Sequence, residues 1–280
     1  MALIIPEVFA DAVNEKFSVK LRAANLATDF TEMVDDLATC GDTVHFPTFD
    51  EIGDAAVVVK GTEITPATVN MSDNEADVKQ VSHGVRVYDK DSIQVKGAMK
   101  DRMAEQLAFK MAKAVDADLV ADILADAVYV DDSLTSLTAA DIDGAFDVFG
   151  DDVDNDTFAG ILINSKLRKT IQGMDAFLNS TKTNVAEGNG IVREGLIGFW
   201  NGTIPIYVSD NGTYNSTTHK ALLAVVKKDA LGIAWQKMPE IEEEREGKLF
   251  ATDVLAQELY ATKLVQTGGV SVLLVTVPFA

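Results

Sequence analysis

From Ala98 to about Tyr129 the chain runs without a glycine or a proline, and alanine, leucine, methionine, lysine, glutamate and glutamine dominate it. Such a stretch specifies one long helix, which spans roughly 45 Å at about 1.5 Å per residue. Met103, Leu107, Met111, Val115, Leu119 and Ile123 recur every fourth residue, slightly more than a turn, so the apolar stripe drifts around the axis. Its two ends are therefore expected to pack on different elements. Just before this helix, residues 61–91 read as an extended β arm with few groups able to catalyse anything. That length of backbone must be ordered by burial against something, and a second copy of the same chain is the expected partner.

At 280 residues and 47% hydrophobic content, the chain can bury a sizeable core as one large or two modest domains. Its formal net charge of -20 argues against a surface that grips a phosphate backbone, which draws on clustered lysine and arginine. Like charge also keeps a concentrated protein dissolved before it assembles. Cys40 is the only cysteine, which excludes an intrachain disulfide and fits a reducing compartment. The start, Met1 to Glu7, lacks a basic region and its apolar run is short, so it does not read as a secretory signal. The apolar stretch Val270 to Val277 is far shorter than the roughly 18 residues of a membrane span. A soluble intracellular product is expected.

Pro6 opens an amphipathic helical pattern with Val8, Phe9, Val13 and Phe17 on one face. A turn at Cys40-Gly41-Asp42 leads into a strand from Thr43 to Pro47, whose proline favours an edge. Val81, Val85 and Val87 share one side of a strand. Thr138 and Asp141 have the spacing of a capping box. Phe158 to Asn164 reads as a buried strand, and Ser165 as the cap of a helix ending at Gly173. Residues 175–190 read as a loop, Leu196 to Ser209 as a hairpin turning at Asn201-Gly202, and Ala221 to Lys227 as a strand. Helices and strands alternate over 138–230, as in a mixed α/β domain set into the chain. Strands return at Ile241–Arg245, Phe250–Gln266 and Val270–Val277.

Motifs that carry chemistry are missing or broken. Asp152-Val153-Asp154-Asn155-Asp156 begins like a calcium loop, but Thr157 stands where glycine is needed and Ile163 where the bidentate glutamate belongs. Gly188-Asn189-Gly190 has Arg193 at the third glycine position of the dinucleotide fingerprint. His45, His83 and His219 are far apart in sequence, which gives little support to a metal site or a nucleophile-base pair. The glutamates at 240, 242, 243, 244 and 246 read as a solvated strand edge. The expectation is a non-enzyme with no catalytic residue, cofactor or metal.

The order of elements resembles the tailed-bacteriophage major capsid protein with the Hong Kong 97-like shell fold. The resemblance is carried by Gly41 to Pro47 with Ile52-Gly53-Asp54-Ala55, by Gly61 to Ile64, by Val85 to Asp91, by Gly160 to Ser165, by Gly202 to Ser209 and by Glu240 to Arg245. It implies an α+β fold with an N-terminal arm (1–43), an extended β loop (44–82) and a peripheral domain built on a long spine helix (83–134). An axial domain (135–235) and peripheral return strands (236–280) complete it. Residues implied at contacts between subunits are Phe9, Phe17, Phe49, Ile52, Lys60, Glu63 and Ile64. The implied work is self-assembly through pentamers and hexamers into an icosahedral virion shell around double-stranded DNA, held without sequence-specific binding. Assembly would take place in the host bacterial cytoplasm, away from any membrane. The short N-terminal region leads to the expectation of a separate scaffolding protein, or of prior proteolysis, with a portal and a decoration protein as further partners. Lys60 lies in the loop where some family members form a Lys-Asn cross-link, but no partner asparagine is evident. An encapsulin-like nanocompartment shell shares the fold and stands as the alternative; a soluble α/β enzyme is the reading from another class.

Overall fold

The computed structural model describes residues 6–33, 41–49, 57, 61, 63, 66, 68–69, 71–90, 99–150, 157–174, 196–200 and 203–277. Within these, the side chains of 6–12, 33, 49 and 99–101 lie outside the description. The helices are α1 (Pro6–Lys20), α2 (Met99–Asp126), α3 (Ala139–Asp147) and α4 (Ser165–Gln172). The strands are β1 (Thr28–Asp29), β2 (Thr43–Phe49), β3 (Met71–Asp77), β4 (Lys79–Tyr88), β5 (Tyr129–Leu134), β6 (Phe158–Ile163) and β7 (Leu196–Trp200). After them come β8 (Ile204–Val208), β9 (Tyr214–Asn215), β10 (Lys220–Lys227), β11 (Leu231–Glu246), β12 (Ala251–Leu264) and β13 (Val270–Thr276). The fold is α+β, with helices laid on two separate sheets.

Proline fits the first turn of α1 because its missing N–H has no helical partner there. Val13 and Phe17 of α1 are buried. The drifting stripe of α2 is buried from Leu107 through Met111, Val115 and Leu119 to Ile123, and Ala104, Ala108, Ala112 and Val120 widen it. This helix therefore has apolar surface on more than one side. It is buried together with α1, with β11, β12 and β4, and with residues of the second sheet, in one continuous core.

The first sheet has the order β1-β11-β12-β4, and β11 and β12 form a long antiparallel ribbon. The second has the order β5-β13-β10-β6-β8-β7, with β9 beside β10. In β10 the residues Leu222, Ala224 and Val226 join the core around α2, whereas Ala221, Leu223 and Val225 join a second core beneath α3 and α4. A strand covered on both faces must be apolar at every position, which explains the unbroken run. Gly160 on β6 has no room for a side chain: a Cβ there would lie 2.8 Å from both Leu26 Cδ2 and Pro205 O.

Local chemistry follows the sequence at the helix starts. The Thr138 hydroxyl accepts from the Asp141 N–H and the Asp141 carboxylate accepts from the Thr138 N–H, a reciprocal capping box. At α4 the cap is Asn164 and not Ser165, because the Asn164 side chain accepts from the Lys166 N–H. Strands β7 and β8 pair antiparallel, with Trp200 opposite Ile204; the turn at 201–202 lies outside the described residues, as do the loop at 175–190 and the acidic run 152–156.

Three expectations shift. Residues 79–82, read with the extended loop, belong to β4 and pair with Leu259, Gln257 and their neighbours on β12. Residues 270–276, read with the peripheral return strands, sit between β5 and β10 in the second sheet. The first of the returning strands begins at Leu231, ten residues before Ile241. Strand β5 had no signal, since Tyr129-Val130-Asp131-Asp132 is exposed and polar on an edge.

The second sheet and the N-terminal segment meet at Asp116, a fully buried carboxylate in the middle of α2. It accepts from the backbone N–H groups of Arg22 (3.1 Å), Ala23 (2.9 Å) and Ala24 (3.4 Å) and from Asn211 Nδ2 (3.1 Å). Arg22 in turn donates Nη1 to the Val208 carbonyl at the end of β8 (3.0 Å). Burial raises the Asp116 pKa, and these donors work against the shift. Asp116→Ala leaves those donors unpaired in the interior and should destabilise the chain by about 3 kcal/mol, read as a lower urea midpoint with the slope unchanged.

Candidate functional site

The segment expected to reach beyond the body is rooted in a two-stranded antiparallel stem, β2 with β3, in the register Val44↔Ala76, Phe46↔Asn74 and Phe49↔Met71. Alternation turns Val44 and Phe46 inward, where they are buried with Phe30, Ala234, Ala261 and Val265. The Phe46 ring stands edge-on to Phe30, centroids 5.5 Å apart, and sits over Gly232 of β11, where a Cβ would lie 3.0 Å from Phe46 Cδ1. Asn74 Nδ2 donates to the Val265 carbonyl and to Thr48 Oγ1, both at 2.9 Å. The stem is thus bonded to its own chain. Pro47 falls on this two-stranded ribbon, where a missing N–H is tolerated.

Between the two strands of the stem Val57 is 100% exposed and Val69 is exposed, as are Glu63, Pro66 and Thr68; Met71, the first residue of β3, is exposed as well. Isolated apolar side chains on a surface need no explanation, whereas several along one stretch of chain are candidates for contact with a partner. A second exposed apolar point is the tip of the β11–β12 ribbon, where Leu249 and Phe250 protrude and Phe250 is 70% exposed with φ 49. That end is braced by two bidentate pairs. Arg86 donates to both oxygens of Asp253 (2.7 and 2.6 Å), and Arg245 to both oxygens of Asp89 (2.6 and 2.6 Å). Each arginine holds its carboxylate partner below the usual aspartate range. The glutamate run at 240–246 alternates along β11, with Ile241 buried and Glu240 bonded to Lys237 and Gln257, as a solvated edge should be.

The residues implied at subunit contacts separate into three groups. Phe17 is corrected: it is 1% exposed, packed in the core against α2 and edge-on to Trp235 at 5.7 Å. It falls on the inner face of α1 and has no surface to offer a neighbour. Glu63 is exposed on the outer segment. The side chains of Phe9 on α1 and Phe49 at the end of β2, and Ile52, Lys60 and Ile64 entirely, lie outside the described residues. Sequence reasoning missed Val44 and Phe46 as anchors, although their alternation around His45 was visible, and missed Val57, Val69, Met71 and Phe250.

One group of residues has the composition of a cation site. His45, Asp73 and Glu75 share the outer face of the stem, with ligand atoms within 4.8 Å of one another. His45 Nδ1 is 2.6 Å from Asp73 Oδ2 and 3.8 Å from Glu75 Oε1, and all three are exposed. Cross-strand register and the hydrogen bond between His45 and Asp73 account for this geometry.

No family model matches the chain. A curated relative, the major capsid protein of Staphylococcus phage phiMR11, is 27% identical over 229 residues, covering 81% of this chain and 80% of its own. Among solved structures, that of Mycobacterium phage Che8 matches with a TM-score of 0.65 at 20% identity, over 89% of each chain. The head structure of Helicobacter pylori bacteriophage KHP40 matches at 0.66 and 11% identity, over 93% of this chain and 91% of its own. The capsid of Cyanophage P-SCSP1u matches at 0.63 and 14% identity, over 89% and 86%. This is the Hong Kong 97-like capsid fold.

Phe46→Ala should cost about 3 to 4 kcal/mol at the root of the loop. Hydrogen exchange should show lost protection across Thr43–Phe49 and Met71–Asp77, with α4 and β6 unaffected.

Proposed function

We infer that this chain is a major capsid protein, the head subunit of a tailed bacteriophage, and that copies of it assemble into an icosahedral shell of pentamers and hexamers. The observation that carries the reading is the capsid fold over about nine-tenths of the chain, alongside a curated relative named for that role. The hairpin supplies the physics: its root is buried in its own subunit, while Val57 and Val69 in the segment between its strands, and Met71 at the outer end of β3, are uncovered. Laying that segment on a neighbour removes apolar surface from water at about 25 cal/mol per Å². An interface on the order of 1,000 Å², repeated by symmetry, then stabilises the shell without any single strong contact.

The second sheet with α3 and α4 is assigned to the axial domain around the symmetry axes. The first sheet with α1 and α2 is assigned to the peripheral domain. The contents proposed are double-stranded DNA, which a chain of net charge -20 would enclose without gripping its backbone. A scaffolding protein, a portal and a decoration protein are the proposed partners, and assembly is placed in the host cytoplasm. The work is mechanical enclosure and not catalysis. No helix among the described residues is long and apolar enough to cross a membrane. Phage proteins as relatives and neighbours favour a phage head over a nanocompartment with the same fold.

Negative-stain microscopy of the expressed protein, alone and with a co-expressed scaffold, should show closed shells. Subunits that stay monomeric or dimeric under both conditions would count against the reading, and nuclease-protected DNA in the particles would separate a head from a nanocompartment. Deleting residues 50–70, outside the stem, should leave a folded subunit with native circular dichroism that forms no shells.

A further inference from the structure

The row of β12 that faces α2 is apolar at Val254, Ala256, Tyr260 and Leu264, and Glu258 and Thr262 interrupt it. Glu258 is 0% exposed, and neither carboxyl oxygen has a hydrogen-bond partner among the described residues. A buried carboxylate without a partner is among the costliest arrangements a core can hold, so its surroundings decide its protonation.

Those surroundings are acidic. From α2, Asp118, Asp122 and Asp126 face the seam at successive turns, and Asp122 also keeps one buried oxygen unbonded. Asp118 accepts from the Tyr260 hydroxyl (2.9 Å) and pairs with Lys79 of β4 (3.3 Å); Asp126 pairs with Lys263 of β12 (3.0 Å). On β11 the positions flanking Glu258 are Lys237 and Glu240, which bond each other. The cations at this seam are thus engaged elsewhere, and Asp118 acts on Glu258 as a like charge.

We propose that the seam between α2 and β12 is a protonation latch, closed while Glu258 is a neutral acid and loosened when it ionises opposite Asp118. Burial first, and the Asp118 charge second, push the Glu258 pKa up to about 8. An unfolded glutamate titrates near 4.5, so between about pH 4.5 and 8 the native chain holds a proton that the unfolded chain has released. Stability therefore falls as pH rises through that window and levels off above it, and the native seam opens around pH 8. Because α2 shares one core with β4, β11 and β12, a loosened seam frees the first sheet to shift against the helix. The latch is a property of the single subunit and does not depend on the shell reading.

The test uses the full chain as an unassembled subunit. Amide exchange along α2 and β12, corrected for base catalysis, should rise roughly tenfold in a step centred near pH 8, with a matching change in fluorescence from Trp235, which lies 5.6 Å from Tyr260. Glu258→Gln, a neutral isostere of the closed form, should abolish the step and flatten the stability profile between pH 5 and 8. Asp118→Asn should move the step to lower pH. A chain with no step between pH 7 and 9, or a step that survives Glu258→Gln, overturns the latch; an unmoved midpoint in Asp118→Asn removes Asp118 from it. Should Glu258→Gln not fold, the infrared band of a protonated carboxyl group in the unsubstituted chain decides. Its loss near pH 8 supports the proposal, and its absence at pH 7 refutes it.

Discussion

Every part of this subunit depends on how α2 is clamped. A helix of 28 residues carries apolar groups around much of its circumference, and it can bury them only if several elements close on it at once. Asp116 makes that closure directional. Its carboxylate gathers the N–H groups of residues 22–24 on one side and Asn211 on the other. The chain segment leaving α1 and the loop after β8 thereby share one buried anion. Hydrophobic burial provides most of the stabilisation, but it is non-directional; the hydrogen bonds to Asp116 specify which surfaces meet.

The second sheet solves a different problem. Strand β10 serves two cores, alternate residues going to α2 and to the α3–α4 side. The two halves of the molecule therefore share a wall. Cutting one core from the other would expose one face of β10, so the halves cannot come apart as independent domains without a large loss of burial. The stem of β2 and β3 joins the body through a smaller cluster, Val44 and Phe46 with Phe30, Ala234, Ala261 and Val265.

Much of the fold was legible because its signals are local. The long helix follows from a stretch without breakers, the box at Thr138 from two side chains three residues apart, and β6 and β10 from short apolar runs with turn residues around them. What was not legible is non-local. Strand β5 is an exposed edge with no apolar pattern, and it is ordered by parallel pairing with β13, a partner about 140 residues away in sequence. The reading of Phe17 as a contact residue failed for a related reason. An amphipathic pattern shows that a helix has an apolar face, but not whether that face meets its own chain or another. Glu258 was hidden too, since a single acid in a strand pattern is indistinguishable from a solvated one until burial is known. The extended loop lay between these extremes: its glycines and prolines marked it, while the depth to which Phe46 roots it needed the packing of β11.

The seating of Phe46 on Gly232 gives the loop the character of a cantilever. Its load path is short: strand β2, the ring of Phe46, then the backbone of β11 and the long ribbon with β12. A pull on the stem is thus delivered straight into the sheet that braces the helix. In a closed container under internal pressure, such rooted beams would share tension from one subunit to the next, and resistance to bursting would come from the stiffness of the roots as much as from the adhesion of the tips.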